Sequence, residues 1–312
     1  MNGQKNLFGQ LPTLRRASRI QERLVHSAVE IEADDRGLIL YQHTVFCQTG
    51  LPYRDPGQMV RLWQRSQGAA HLEIEAGRAF HPEHGTFVDV GLPFGPKPRL
   101  ILAYLNAEAL RTASPVIEVE ESLTAFVLRI GLCRDGRSIR TVKDQLSRLS
   151  AAEIRLAVAY GETQARQVNA HIVGEFDLWF PKNDRQRVLW PTTVTLDQRY
   201  FDSLIRHAVP LDERAIAALS HSAMGLDIYA WLAQRLHRVQ PGKPQFVPWV
   251  ALKAQFGWHY SRMRKFRDVF RQTLDTVLSQ YRGTRLELDG RGITLHHSPP
   301  PVKGRFVLIS KA

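Results

Sequence analysis

Five cationic side chains, Arg262, Arg264, Lys265, Arg267 and Arg271, fall within ten residues, with Asp268 the single acid among them. Guanidinium and ammonium groups in such a run make no bond-breaking constellation; their chemistry is anion recognition. An arginine fork matches the O6 and N7 acceptors of guanine, and either kind of cation neutralises phosphate. Tyr260 stands just ahead of the run and completes this candidate set. A second set, Arg137, Ser138, Arg140, Thr141, Lys143 and Arg148, repeats the pattern in the first half of the chain. Arg140, Lys143, Arg264 and Arg267 are the candidates for base edges. Arg137, Arg148, Arg262 and Arg271 are placed for phosphates, which position a protein without reading sequence.

Both sets need a rigid carrier. Met263, Phe266, Val269, Phe270, Leu274, Val277, Leu278 and Tyr281 share one stripe at helical spacing, which leaves the cations on the opposite face. Taken singly, a basic face is also what any solvated helix shows, so the surroundings decide. A short apolar helix over Pro248–Phe256 precedes it across a break at Gly257. Strands over Thr284–Asp289 and Gly292–His297 follow, joined by the turn Asp289-Gly290-Arg291-Gly292. Upstream, helices over 99–112 and 122–132 lead to a basic helix over 138–149, with Ser138 as its expected N-cap. Strands over 154–160 and 169–180 come next. Helix, helix, turn, basic helix, ribbon is the order of a winged helix-turn-helix, and it occurs twice.

The predicted fold is therefore α+β: two tandem winged-helix domains, each a helix-turn-helix plus β-ribbon, behind a small β-containing N-terminal segment. The expected divisions are a basic N-terminal arm (1–36), an N-terminal winged-helix domain with its preceding β segment (37–210), a C-terminal winged-helix domain (211–298) and a tail (299–312). Within the arm, Ser18–Glu32 has helical spacing in an otherwise solvated stretch. In the β segment, Leu38–Tyr41 and Thr44–Gln48 are expected strands and Gln58–Ser66 a short helix. His71–Glu75 and Thr86–Val90 alternate cleanly and are expected to pair with each other. Further on, a helix over Gln198–His207 stops before Pro210, Asp212 caps the next, and Ala223–Arg238 is a long buried one. The tail carries an apolar Phe306–Ile309.

Composition limits what such a protein can be. The 312 residues carry a formal net charge of +12 and a sequence pI near 10.0, which favours polyanion partners without specifying a fold. Ribosomal, heparin-binding and membrane-surface proteins share that charge. The 44% hydrophobic content is that of a globular chain with real cores. Two cysteines, Cys47 and Cys133, cannot make a disulfide framework, and neither sits in a CxxC or near a paired histidine. No apolar run approaches the ~18 residues of a membrane span, and the N-terminus has no signal-type core, so a cytoplasmic protein with no membrane association is expected. No phosphate-binding GxxxxGK[ST] loop, GxSxG or HExxH occurs, so the expectation is no catalytic residues, no cofactor and no metal. His81-Pro-Glu-His84, with His71 nearby, matches neither a zinc pair nor the two-histidine motif of nicking enzymes. Tyr260 or Tyr281 among cations leaves one enzymatic alternative, a strand-transferring tyrosine. RNA binding is a rival of another class, without an RRM or KH pattern to support it.

The segments VFCQTGLPYRDPG (45–57), FGPKPRLILAYLNAEAL (94–110), SLTAFVLRIGL with DGRSIRTVKDQLSRL (within 122–149), FDLWFP (176–181) and WVALKAQFGWHYSRMRKFRDVFRQTL (249–274) together resemble the RepA-type replication initiators of broad-host-range bacterial plasmids. The resemblance spans roughly residues 37–298. It implies binding of double-stranded DNA at repeated sites (iterons) in the plasmid's own origin, and recruitment of the host initiator and replicative helicase. It also implies autorepression as a homodimer and no catalytic residues. A winged-helix transcriptional regulator without a role in initiation is the alternative. Carried onto this chain, the reading helices are Ser138–Leu149 and Arg262–Leu278.

Overall fold

A computed structural model describes residues 18–34, 37–81, 85–118, 123–159, 164–175 and 193–302. The arm residues 1–17, the histidine-bearing turn at 82–84, the aromatic run 176–180 with the polar loop after it, and the apolar tail segment 306–309 lie outside these.

The chain starts with α1 (Arg19–Ala33), β1 (Ile39–His43), α2 (Thr44–Thr49), β2 (Leu62–Gln67), β3 (Ala70–Glu75), β4 (Arg78–His81) and β5 (Thr86–Asp89). Then come α3 (Pro96–Thr112), β6 (Val116–Glu118), α4 (Leu123–Arg129), α5 (Gly136–Ala151), β7 (Glu153–Ala159), β8 (Ala165–His171), β9 (Val173–Glu175) and β10 (Thr193–Leu196). The last part holds α6 (Gln198–His207), β11 (Ala208–Asp212), α7 (Glu213–Leu219), α8 (Ala223–Arg235), β12 (Gln245–Pro248), α9 (Trp249–Phe256), α10 (Met263–Leu278), β13 (Leu286–Leu288) and β14 (Gly292–Leu295). The result is a mixed helix-and-sheet fold.

Its sheets have the orders β2-β3-β7-β8, β6-β10-β9, β12-β14-β13, β1-β11 and β4-β5, all antiparallel where paired. One continuous set of buried side chains runs from Ile31 to Leu295. Helices α3 and α8 lie at its centre, buried on nearly every side. Between them Arg99 and Asp227 form a buried, bidentate ion pair: Nε to Oδ1 is 2.6 Å and Nη2 to Oδ2 is 2.8 Å. The same guanidinium donates to the carbonyls of Gly95 (2.6 Å) and Leu51 (2.7 Å). The pairing of Ile39–His43 with Asp212–Ala208 is a second tie between early and late parts of the chain, and the expected division at 210/211 falls inside β11.

Four expectations are corrected. Thr44–Gln48 is part of helix α2, not a strand. His43 caps it by accepting the Val45 N–H at 3.2 Å, and five of its six residues are buried, so sidedness left no periodic mark. Gln58–Ser66 is not a helix; its second half is strand β2, paired with β3. His71–Glu75 and Thr86–Val90 do not pair with each other. β3 lies between β2 and the distant β7, while β5 pairs with β4. Alternation reports a half-buried strand but not its neighbour. Nor is α1 a solvated arm. It is opened by a Ser18–Gln21 capping box and held by Ser27 to the Arg214 carbonyl (3.0 Å) and by Gln280 to the Leu24 carbonyl (2.8 Å).

The cap of α2 makes stability depend on acid. His43 is 1% exposed, with Nε2 3.1 Å from Ser203 Oγ and its ring 5.7 Å from that of His207. Burial, and secondarily His207, lowers its pKa from 6.5 to about 3. The native imidazole stays neutral while the unfolded one takes up a proton below pH 6.5. The contribution is thus intact above pH 6.5 and falls by about 1.4 kcal/mol per pH unit from there toward pH 3. Urea unfolding of His43→Gln between pH 7 and 4 is expected to show a shallower loss than the parent; an equal slope would exclude His43 as the source.

Candidate nucleic-acid interface

Helix α10 packs on α8 and α9, and the turn before it sets where it starts. Phe266, Phe270, Leu274 and Val277 are buried at spacings of four, four and three. Phe266 seats directly on Gly257, where an added Cβ would lie 2.2 Å from its ring, so the turn admits no side chain there. Arg262 is the N-cap residue but makes no side-chain cap bond, leaving its guanidinium exposed. Arg264, Lys265 and Arg271 are likewise exposed and Arg267 half-buried. Among the described residues none of these five forms an ion pair.

Two of the cations are stacked. The guanidinium groups of Arg267 and Arg271 lie 5.3 Å and 5.4 Å from the ring centre of Trp249, the first residue of α9. Such stacking holds an arginine in place without consuming its hydrogen-bond donors. Tyr260 serves the turn instead: it is half-buried, its backbone N–H donates to the Gly257 carbonyl (2.9 Å), and its ring lies 5.9 Å from that of Phe266. Burial raises its hydroxyl pKa. Tyr281 is buried and donates to the Pro299 carbonyl (2.9 Å), so its oxygen is committed to packing.

The first basic set sits on α5, with two corrections. Its N-cap is Asp135, not Ser138: the Asp135 carboxylate accepts the Ser138 N–H (2.8 Å) and the Ser138 hydroxyl (3.0 Å). An anion with two acceptor oxygens outcompetes a hydroxyl three residues further on. Arg148 is not an open phosphate contact. Its side chain is 13% exposed, paired with Asp144 at 3.0 Å, bonded to the Leu92 carbonyl at 3.2 Å and stacked on Phe94 at 5.0 Å. Arg137 and Arg140 are exposed, Lys143 and Thr141 half-buried, and the Thr141 hydroxyl donates back to the Arg137 carbonyl (2.8 Å).

Sequence reasoning missed the groups that hold the end of α9 and the turn before α10 against β2. Arg65 of β2 donates to the carbonyls of Ala254 and, at 2.9 Å, Gln255, where α9 ends. The rings of Trp63 and Trp258 meet edge-on at 4.9 Å. Only exposed aromatics near a turn could have hinted at this contact. Among the described residues no helix is long and apolar enough to cross a membrane.

With this geometry in hand the relatives can be placed. A family model described as plasmid encoded RepA protein matches residues 92–250, just over half of the chain. The chain belongs to that family, the RepA-type plasmid replication initiators. The matched stretch holds α3, α5 and α8 and stops ahead of α10. No curated protein matches the chain. Among solved structures, the chain is similar to the crystal structure of domains 2 and 3 of RctB, with 10% identity and a TM-score of 0.52 over 83% of this chain and 99% of that one. A second crystal structure of RctB domains 2–3 aligns with 10% identity and a TM-score of 0.49, over 78% of this chain and 92% of the other. The first alignment is a likeness of fold.

Proposed function

We propose that this protein initiates plasmid replication by sequence-specific binding of double-stranded DNA at origin repeats (iterons). Two winged-helix units, one carried by α5 with the β7–β8 ribbon and one by α10 with the β13–β14 hairpin, enter major grooves of the duplex. The observation that carries this is the outer face of α10, five cations free of ion pairs among the described residues beside a hairpin. On this reading it acts by binding, not catalysis. Strand opening draws on contact energy, after which the host initiator and replicative helicase are recruited in the cytoplasm. A homodimer serves repression of its own gene.

The test is replication. A non-replicating plasmid carrying DNA from beside this gene should be maintained only when the protein is supplied in trans. Repression of the neighbouring promoter without maintenance of the plasmid would favour the transcriptional regulator. Binding should also be strongly salt-dependent. If about eight phosphates are neutralised, the plot of log K against log salt has a slope near about −7. A slope shallower than about −3 would contradict two units bound at once.

A further inference from the structure

A groove of about 710 Å³ is bordered by β1, β11 and the ends of α3, α6 and α8. Its apolar lining includes Leu38, Tyr41, Leu110, Ile205, Val209 and Val302. Leu38 and Ile205 are 58% and 40% exposed, so the apolar wall is open to water. A cavity of about 150 Å³ admits one benzene ring, and this groove therefore has room for several side chains. The chain itself leads into it. The Tyr281 hydroxyl donates to the Pro299 carbonyl (2.9 Å) and the Ser298 hydroxyl accepts the Arg285 N–H (2.9 Å). Just beyond these ties, Pro300 and Val302 line the groove, Val302 being 5% exposed. Lys303, Gly304 and Arg305 come next in sequence, and then the unbroken apolar run Phe306-Val307-Leu308-Ile309.

We propose that Phe306–Ile309 docks in this groove of its own chain, as a latch between β1 and α3 on one side and β11 and α8 on the other. Geometry limits where the run can go. Four residues span at most about 14 Å, so Phe306 stays within that distance of Val302, at the groove. A segment on so short a tether has an effective concentration on the order of millimolar, and an apolar partner from solution must outcompete it. Removing four apolar side chains and the exposed Leu38 and Ile205 from water supplies the driving force. The latch has a consequence for the frame of the molecule. Helix α5 packs on α3 and α10 packs on α8, so a filled groove stiffens the support shared by both basic helices. That holds whether or not those helices read DNA.

The experiment introduces Ile205→Cys and Leu308→Cys into the full chain with Cys133→Ser, Cys47 being buried. A disulfide needs Cα atoms within about 7 Å, so mild oxidation is expected to link the two within one chain, at a yield independent of protein concentration. Met59→Cys in place of Ile205→Cys, at an exposed residue outside the groove, should give no such link. An apolar dye supplies a second readout. It should bind the parent on the order of tenfold more weakly than a chain ended at Val302, if the parent groove is open about a tenth of the time. Phe306→Asp with Leu308→Asp should behave like the shortened chain. Disulfides only between chains, rising with concentration, would give the groove to a second copy and overturn the proposal. So would the absence of an intrachain disulfide together with equal dye binding by parent and shortened chain, which would leave the groove to another molecule.

Discussion

Replacing Arg264 and Arg267 together with alanine is expected to abolish selective binding of repeat DNA while leaving the fold intact. Each guanidinium placed on a guanine edge contributes about 1–3 kcal/mol of discrimination, so the pair is worth about 2–6 kcal/mol, roughly 30-fold to more than 10⁴-fold in affinity. Neither side chain belongs to the buried stripe of α10. Arg264 is exposed, and Arg267 touches the body of the protein through its stack on Trp249, a contact of about 0.5–1 kcal/mol. Thermal unfolding should therefore move little while binding collapses. The corresponding pair on α5, Arg140 and Lys143, supplies the comparison: if only one unit reads bases, one double mutant loses selectivity and the other merely weakens binding on all DNA. Equal binding of parent and Arg264→Ala/Arg267→Ala to repeat and scrambled duplexes would remove α10 from the interface.

Asp227→Ala is expected to cost about 3–5 kcal/mol of stability, because it strands the Arg99 guanidinium in the core. The side chains are 5% and 11% exposed, so the Arg99 guanidinium would be left in the core without a counter-charge. Set against a total of about 5–15 kcal/mol for a folded domain, such a loss removes much of the margin. It also removes the charged tie between α3 and α8, on which α10 rests. Removing both charges is a different matter. Arg99→Met with Asp227→Leu replaces an ion pair by apolar groups of similar volume, and such exchanges are often neutral. In chemical denaturation the single variant should unfold at much lower denaturant than the parent and the double variant should recover most of the difference. A single variant within about 1 kcal/mol of the parent would show that the carbonyls of Leu51 and Gly95 suffice to hold the guanidinium.

What the sequence revealed of this fold follows from sidedness. Helices α6 and α10 bury one face and expose the other, so their limits and inward residues could be read within a few positions. The hairpin after α10 was legible from Asp289-Gly290, a turn pair that few other structures accommodate. Helix α2 was not, because a helix buried nearly all round shows no alternation of apolar and polar residues, and Thr44 and Val45 favour strands locally. The partners of β3 were hidden for another reason: β7 lies some eighty residues away, and nothing in either strand names the other. At the candidate site the run of cations was visible, but its division into free and engaged members was not. Arg148 and Arg271 look alike in sequence. One is tied to Asp144, Leu92 and Phe94, the other stands exposed over Trp249. The part played by Trp249 went unnoticed because it depends on a contact between α9 and a turn forty residues later.

The most direct measurement is a footprint of the purified protein on the DNA that flanks its own gene, run beside Arg264→Ala/Arg267→Ala. An iteron-binding initiator protects a series of direct repeats, and the double variant loses that protection. Protection of one promoter site alone would point to a regulator, and no sequence-specific protection at any salt concentration would contradict DNA readout by these helices altogether.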